Sequence, residues 1–194
     1  METIQVQSLL NIVEYEKVRN QYRQEMIDYK KNRRVFLGPQ ISMVFENMKT
    51  IKFQIQEMMR AERMIRDQEI EQEIEIYKTL LPTNNELSAT LFIEITEEAR
   101  IRQDLHQFIG MTDNQSLVLA VGSEKVVAMF EPGRSEEDKI SSVHYIRFRF
   151  TPDQIRQFTN PDIPASFRIS HRNYQHEFAI PPAMRASLIS DLLA

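Results

Sequence analysis

LPTNNELSATLFIEI, residues 81–95, joins two kinds of chain. Its first half is a linker: Pro82 is followed by Thr83, Asn84 and Asn85, which favour turns through a fixed φ or through side-chain bonds to nearby backbone. Its second half, ATLFIEI, is a short apolar run with β-branched and aromatic members, the pattern of a buried strand. Upstream the apolar period is mainly helical; downstream it is mainly two. The stretch therefore predicts an α+β fold, a helical N-terminal half packed with a mainly antiparallel sheet in the C-terminal half. The expected organisation is one α+β domain over 1–194, subdivided into a helical part, 1–82, and a sheet-rich part, 86–194.

Upstream, Ile12, Tyr15, Val18, Tyr22, Met26 and Tyr29 recur every three or four residues, which predicts an amphipathic helix from Ser8 to about Asn32. It ends in Lys30, Lys31, Asn32, Arg33 and Arg34. Cations there complement the helix macrodipole; the same run also suits phosphate or RNA. VFLGPQISMVF, 35–45, reads as two short strands about a Gly38-Pro39 turn, and helical spacing returns over 48–66 and, in a more acidic stretch, over 69–80.

Downstream, EEARIRQDLHQFIG, 97–110, reads as a helix with His106 off its apolar stripe. SLVLAV and EKVVAMF flank Gly122-Ser123 as a hairpin. VHYIRFRF alternates, with Ile146, Phe148 and Phe150 on one face, and His144 shares their parity. A last helix begins near Pro182.

Composition narrows the chemistry. With 42% hydrophobic and 27% charged residues the chain is in the globular range. It has no cysteine, so thiolate metal sites, disulfides and cysteine nucleophiles are excluded. A net charge of −4 argues against nonspecific nucleic-acid binding, which needs a basic excess. METIQVQSLL lacks the pattern of a signal peptide and no apolar run is long enough to span a bilayer, so a soluble, cytoplasmic protein away from membranes is expected. The four glycines, at 38, 110, 122 and 133, leave no room for a dinucleotide or phosphate loop or a nucleophile elbow.

Two places carry candidate chemistry. RISHRNYQHEF, 168–178, reads as a hairpin with a four-residue loop, Arg172 to Gln175, pairing His171 with His176, Ile169 with Phe178 and Phe167 with Ile180. That register puts all three pairs on one face, with the opposed Cβ atoms about 4.5–5.5 Å apart. In the helix TIKFQIQEMMRAERMIR, Glu62 falls on the stripe of Ile51, Ile55, Met58 and Ile65, where a carboxylate needs a partner. Together His171, His176 and Glu62, joined by His144, form a candidate two-histidine, one-carboxylate site for a divalent metal: iron, manganese or zinc. The competing reading is structural: two hydrogen-bonded or solvent-facing histidines at a hairpin end, and Glu62 paired with an arginine.

Taken together, YEKVRNQYRQEMIDYKKNRRVFLGP, FENMKTIKFQIQEMMRAERM, LSATLFIEI, SSVHYIRFRFTP, HRNYQHE and MRASLISDLL resemble the bacterial domain-of-unknown-function family numbered 3501, over nearly the whole chain. Members of that family are known as neighbours of rubrerythrin-like proteins and iron–sulfur oxidoreductase subunits. The resemblance implies a place beside oxidative-stress defence and electron transfer, with such a protein as partner. It draws attention to Lys31, Arg33 and Arg34, to Gln54, Glu57, Arg60, Glu62 and Arg63, and to His171, Tyr174 and Glu177; of these, Arg33, Arg34, Gln54, Glu57, Arg60, Arg63, Tyr174 and Glu177 are the binding candidates. The preferred expectation is a noncatalytic accessory or interaction protein whose Gln54, Glu57, Arg60 and Arg63 form a polar recognition face. The alternative is a metal-binding enzyme using the histidine pair and a buried glutamate, which leaves its status as an enzyme open.

Overall fold

Asn11 starts the first helix, α1 (Ile12–Lys31), by accepting a 3.0 Å bond from the Glu14 N–H, one of the donors a helix start leaves without an intrahelical partner. Asn47 does the same for α2 (Met48–Ala61), accepting from the Lys49 and Thr50 N–H groups while Thr50 Oγ1 takes the Asn47 N–H in return. A third helix, α3 (Asp67–Lys78), carries Asp67 and Glu69 in its first turn, where the macrodipole favours them. The computed structural model describes residues 3–97, 101–112, 115–133, 140–172 and 174–193. Contacts divide the chain into two units, one built from 1–32 and 46–81, the other from 33–45 and 82–194.

In the helical unit Tyr15 and Met26 of α1, Ile51, Ile55 and Met59 of α2, and Ile70 and Ile74 of α3 are buried. The segment before α1 is fastened by Gln56, which accepts the Leu10 N–H at 2.6 Å and donates to the Leu10 carbonyl at 3.0 Å. α2 stops where the sequence pattern continues. Arg63 adopts φ 55°, its N–H reaches the Arg60 carbonyl, and the Met64 N–H reaches the Met59 carbonyl at 2.9 Å, a Schellman stop with arginine in the position glycine usually takes. The expected stripe through Glu62 and Ile65 is therefore cut at Ala61: Glu62 is exposed, and Ile65 is turned out to 78% exposure.

The second unit is one eight-stranded antiparallel sheet in the order β1-β2-β3-β6-β5-β4-β7-β8. Its strands are β1 (Arg34–Phe36), β2 (Ile41–Glu46), β3 (Glu86–Ile93), β4 (Leu117–Val121), β5 (Glu124–Phe130), β6 (Val143–Arg149), β7 (Ala165–His171) and β8 (Tyr174–Ala179). Among the described residues three helices accompany it, α4 (Ile101–His106), α5 (Pro152–Thr159) and α6 (Pro182–Leu192). β5 changes partner midway, Glu124–Val127 pairing with β4 and Ala128–Phe130 with β6, which turns the sheet as in a barrel corner. The two outermost strands approach through side chains: the Tyr174 hydroxyl of β8 donates to the Leu37 carbonyl just after β1, so the sheet nearly closes.

The α+β expectation holds, with one difference in arrangement. Helices and strands interleave instead of occupying halves, because VFLGPQISMVF in the first half supplies β1 and β2 to the sheet of the second. Alternation fills the sheet interior with Val35, Met43, Phe45, Leu87, Ala89, Leu91, Ile146, Phe148, Phe167 and Ile169. Phe45, Phe148 and Phe167 sit with ring centroids 5.2–6.0 Å apart. Met184, Leu188 and Leu192, one face of α6, close against the same core. Of the helix expected over 97–110, α4 is the described part; 98–100 lie outside the described residues.

Candidate functional site

The hairpin β7–β8 holds the histidine pair in a different register from the expected one. His171 is opposite Tyr174, Ile169 opposite His176 and Phe167 opposite Phe178. The connection is two residues, 172 and 173, with Arg172 at φ 50°, suiting the primed turns whose twist matches paired strands; Asn173 lies outside the described residues. A slide of two residues leaves side-chain parity unchanged, so both histidines remain on the face of Phe167 and Ile169. They become diagonal neighbours, typically about 7–8 Å apart with Cβ atoms somewhat closer, instead of directly opposed residues.

Each ring is also engaged. His171 is buried, and its Nε2–H donates to the Gln107 carbonyl at 3.2 Å, which fixes the proton on that nitrogen. Burial holds its pKa below the ordinary histidine value, and the Arg172 charge adds to the effect, so the ring is neutral near pH 7. His176 packs edge-on against Tyr174, centroids 4.5 Å apart, and lies on Gly38 so closely that a Cβ there would overlap the ring. Tyr174 holds the other side of the same turn: besides donating to Leu37 it accepts the Gln40 N–H at 3.1 Å. The hairpin thus clasps the β1–β2 turn, and its tyrosine and second histidine are the clasp.

The other metal candidates lie elsewhere. His144 of β6 faces Leu91 across the ladder, is fully buried, and donates Nε2–H to the Ser141 carbonyl at 2.7 Å. Glu62 caps the end of α2 in the helical unit. Among the described residues, no three His, Asp or Glu side chains come together in a group able to hold a metal ion.

The polar candidates divide in the same way. Glu57 is clamped by Arg19, which donates from Nε and from its terminal nitrogen at 2.8 Å each, and by the Tyr15 hydroxyl at 2.6 Å. The Arg19 guanidinium holds the Glu57 carboxyl below its usual range, whereas burial beside that carboxylate raises the Tyr15 phenol. Arg60 pairs with Glu16, Glu177 with Arg168, Gln54 is half-buried and Arg63 is exposed. The basic run is taken apart: Lys30 lies over the Phe53 ring at 5.5 Å, Lys31 pairs with Asp28, and Arg33 is wholly buried. Arg33 donates to the Phe45 carbonyl at 2.9 Å, to Ser187 at 2.9 Å and to Asp191 of α6. Arg34 alone of the run is exposed with no ion pair among the described residues.

The protein-family model described as "Protein of unknown function (DUF3501)" matches residues 3–192. The chain belongs to the DUF3501 family. A crystal structure of a protein of unknown function from Burkholderia pseudomallei K96243 is similar to this DUF3501 chain at 32% identity and a TM-score of 0.89, covering 98% of this chain and all of that one. No curated protein matches.

Sequence reasoning missed two features of this DUF3501 member. Arg185 of α6 is buried over the Phe158 ring, and among the described residues its hydrogen-bond partners are all main-chain carbonyls: Gln157, Phe158, Asn160 and Ile163, at 2.7–3.3 Å. It thereby caps the C-terminal end of α5, and burial alone lowers its pKa. The available signal was a charge adjoining the stripe of Met184, Leu188 and Leu192. The second feature is a groove of about 270 Å³ in the helical unit, lined by Leu9, Leu10, Ile12, Met59, Met64 and Ile65. Glu14 and Asp67 stand on its rim. It exists because the Schellman stop turns Met64 and Ile65 toward the segment before α1, which no apolar period announces.

Proposed function

We propose that this DUF3501 protein is a noncatalytic docking partner of a rubrerythrin-like or iron–sulfur oxidoreductase protein. The observation that carries the docking reading is the groove beside Ile65. An isoleucine exposed to 78% next to partly exposed Leu10 and Met64 is an apolar surface that a monomer gains nothing by leaving in water. Its setting defines the complementary surface. Glu14, Asp67 and Glu71 make no ion pair among the described residues, and α3 carries five acidic residues, Asp67, Glu69, Glu71, Glu73 and Glu75, against Lys78. The fitting partner presents an apolar anchor ringed by lysine or arginine. The redox class of that partner comes from the family resemblance and its genomic neighbours.

The test is a titration of the purified chain with each purified neighbouring protein, followed by sedimentation or interferometry. Binding is expected to weaken about tenfold or more in Ile65→Glu, which loses an anchor and adds a like charge, and to fall with salt. Thermal stability of that variant is to stay near wild type, since Ile65 is exposed. Failure of both neighbours to bind at low salt, or binding indifferent to Ile65→Glu, rejects the reading.

A further inference from the structure

Arg34 and the space beside it are not used by the docking reading, and they lie in the other unit. A cavity of about 400 Å³, in the size range of small-molecule sites, opens between the ends of β3 and β6 and helix α4. Its wall is apolar: Phe92 of β3 and Ile95 two residues past its end, Ile101 and Leu105 from α4, and Val143 from β6. Three polar residues border it, Arg34, Glu94 and Ser142.

The charges differ in availability. Glu94 accepts the Ser42 hydroxyl, so its carboxylate is held in place at the rim. The Arg34 side chain has no hydrogen bond or ion pair among the described residues, although that of its neighbour Arg33 makes at least three hydrogen bonds. An arginine with an open fork over an apolar wall matches one kind of ligand, a carboxylate on a hydrocarbon body. The fixed Glu94 charge then acts as discrimination: it repels a second negative group, so dicarboxylates and phosphates are disfavoured.

We propose that this cavity binds a small apolar monocarboxylate, its carboxylate on Arg34 and its hydrocarbon against Phe92, Ile95, Ile101 and Leu105. An aliphatic acid and an apolar α-amino acid share this chemistry. In the amino acid, the ammonium group faces Glu94. The site is independent of the groove beside Ile65, and failure of either leaves the other standing.

The test is calorimetric titration of the full chain with 4-methylpentanoate, leucine, 4-methylpentanol and succinate. Saturable binding of 4-methylpentanoate or leucine is expected, with the alcohol and succinate at least about tenfold weaker. Preference between the two binders identifies the source: leucine ahead assigns Glu94 an ammonium partner, 4-methylpentanoate ahead assigns it exclusion alone. Arg34→Gln is to weaken binding at least about tenfold, Arg34→Lys to keep part of it, and Ile101→Asp to abolish it. Arg34 and Ile101 are exposed, so thermal midpoints near wild type show that the losses are not unfolding. No saturable binding of either carboxylate up to about 10 mM overturns the proposal, as does an affinity that Arg34→Gln leaves unchanged.

Discussion

Gly38 shows how much a single position can decide. At φ 76°, it takes a conformation that costs an L side chain about 1–2 kcal/mol, and the space its Cβ would need is filled by the His176 ring. Gly38→Ala is therefore expected to destabilise by more than that backbone cost, read as a shift in the urea midpoint at constant slope. Adding His176→Ala should recover the steric part and leave the backbone part. Losses that simply add in the double variant would mean that the ring does not rest on the turn. The glycine and its turn were legible in the sequence, because Gly-Pro between two β-type runs has few other readings. The ring was not, because its contact spans residues 38 and 176. The histidine register failed for a related reason: a period of two cannot tell a two-residue loop from a four-residue one, since both keep the same faces. What separates them is Tyr174, whose hydroxyl meets the Leu37 carbonyl and the Gln40 N–H, and that need is invisible locally.

At the scale of elements, α1 and α2 are tied by a polar cluster, Glu57 between Arg19 and Tyr15, beside the more exposed Arg60–Glu16 pair. Three hydrogen bonds to one carboxylate, partly open to water, make Glu57→Gln a loss of about 1–2 kcal/mol. The pH dependence has a definite sign. The folded carboxyl titrates below its ordinary 4.5, so the unfolded chain binds the proton first as pH falls. The stabilisation is complete above 4.5 and is lost as pH drops from there through the depressed folded value. Thermal midpoints of wild type and Glu57→Gln should thus differ at neutral pH and converge in acid; a constant gap would show that the charge is not what holds the helices. Helix existence was readable from the three-and-four spacing of α1 and α2. Their partnership was not, because Glu57 and Arg19 read equally well as solvated charges on separate helices. The end of α2 was misread because Arg63 takes the left-handed position that a sequence reader reserves for glycine.

Over the whole molecule, the chain divides by contact differently from the way it divides along its length. The linker 81–88 looks like a boundary, and a cut there would give a sheet-rich part over 86–194. The sheet, however, takes β1 and β2 from 34–46, and the core of the same unit includes Val35, Leu37, Ile41, Met43 and Phe45. Arg33, 158 positions before Asp191, pairs with it, the two side chains being 0% and 8% exposed. A fragment of residues 82–194 therefore lacks two strands, opens the outer edge of β3 and leaves the Asp191 carboxylate without its guanidinium. Breaking a buried ion pair by removing one partner costs about 3–5 kcal/mol, a large share of a domain's total stability. The fragment is expected to aggregate or to show no cooperative thermal transition by circular dichroism. Joining residues 33–45 to it through a flexible glycine-serine linker restores the strands and the arginine together, and cooperative unfolding should return. In that linked chain Arg33→Met should lose it again, whereas Arg33→Met with Asp191→Leu should recover much of it, because an apolar pair no longer leaves a charge in the core. Cooperative unfolding of residues 82–194 alone would show that β1 and β2 decorate a domain already complete, and the sequence boundary would then be the physical one.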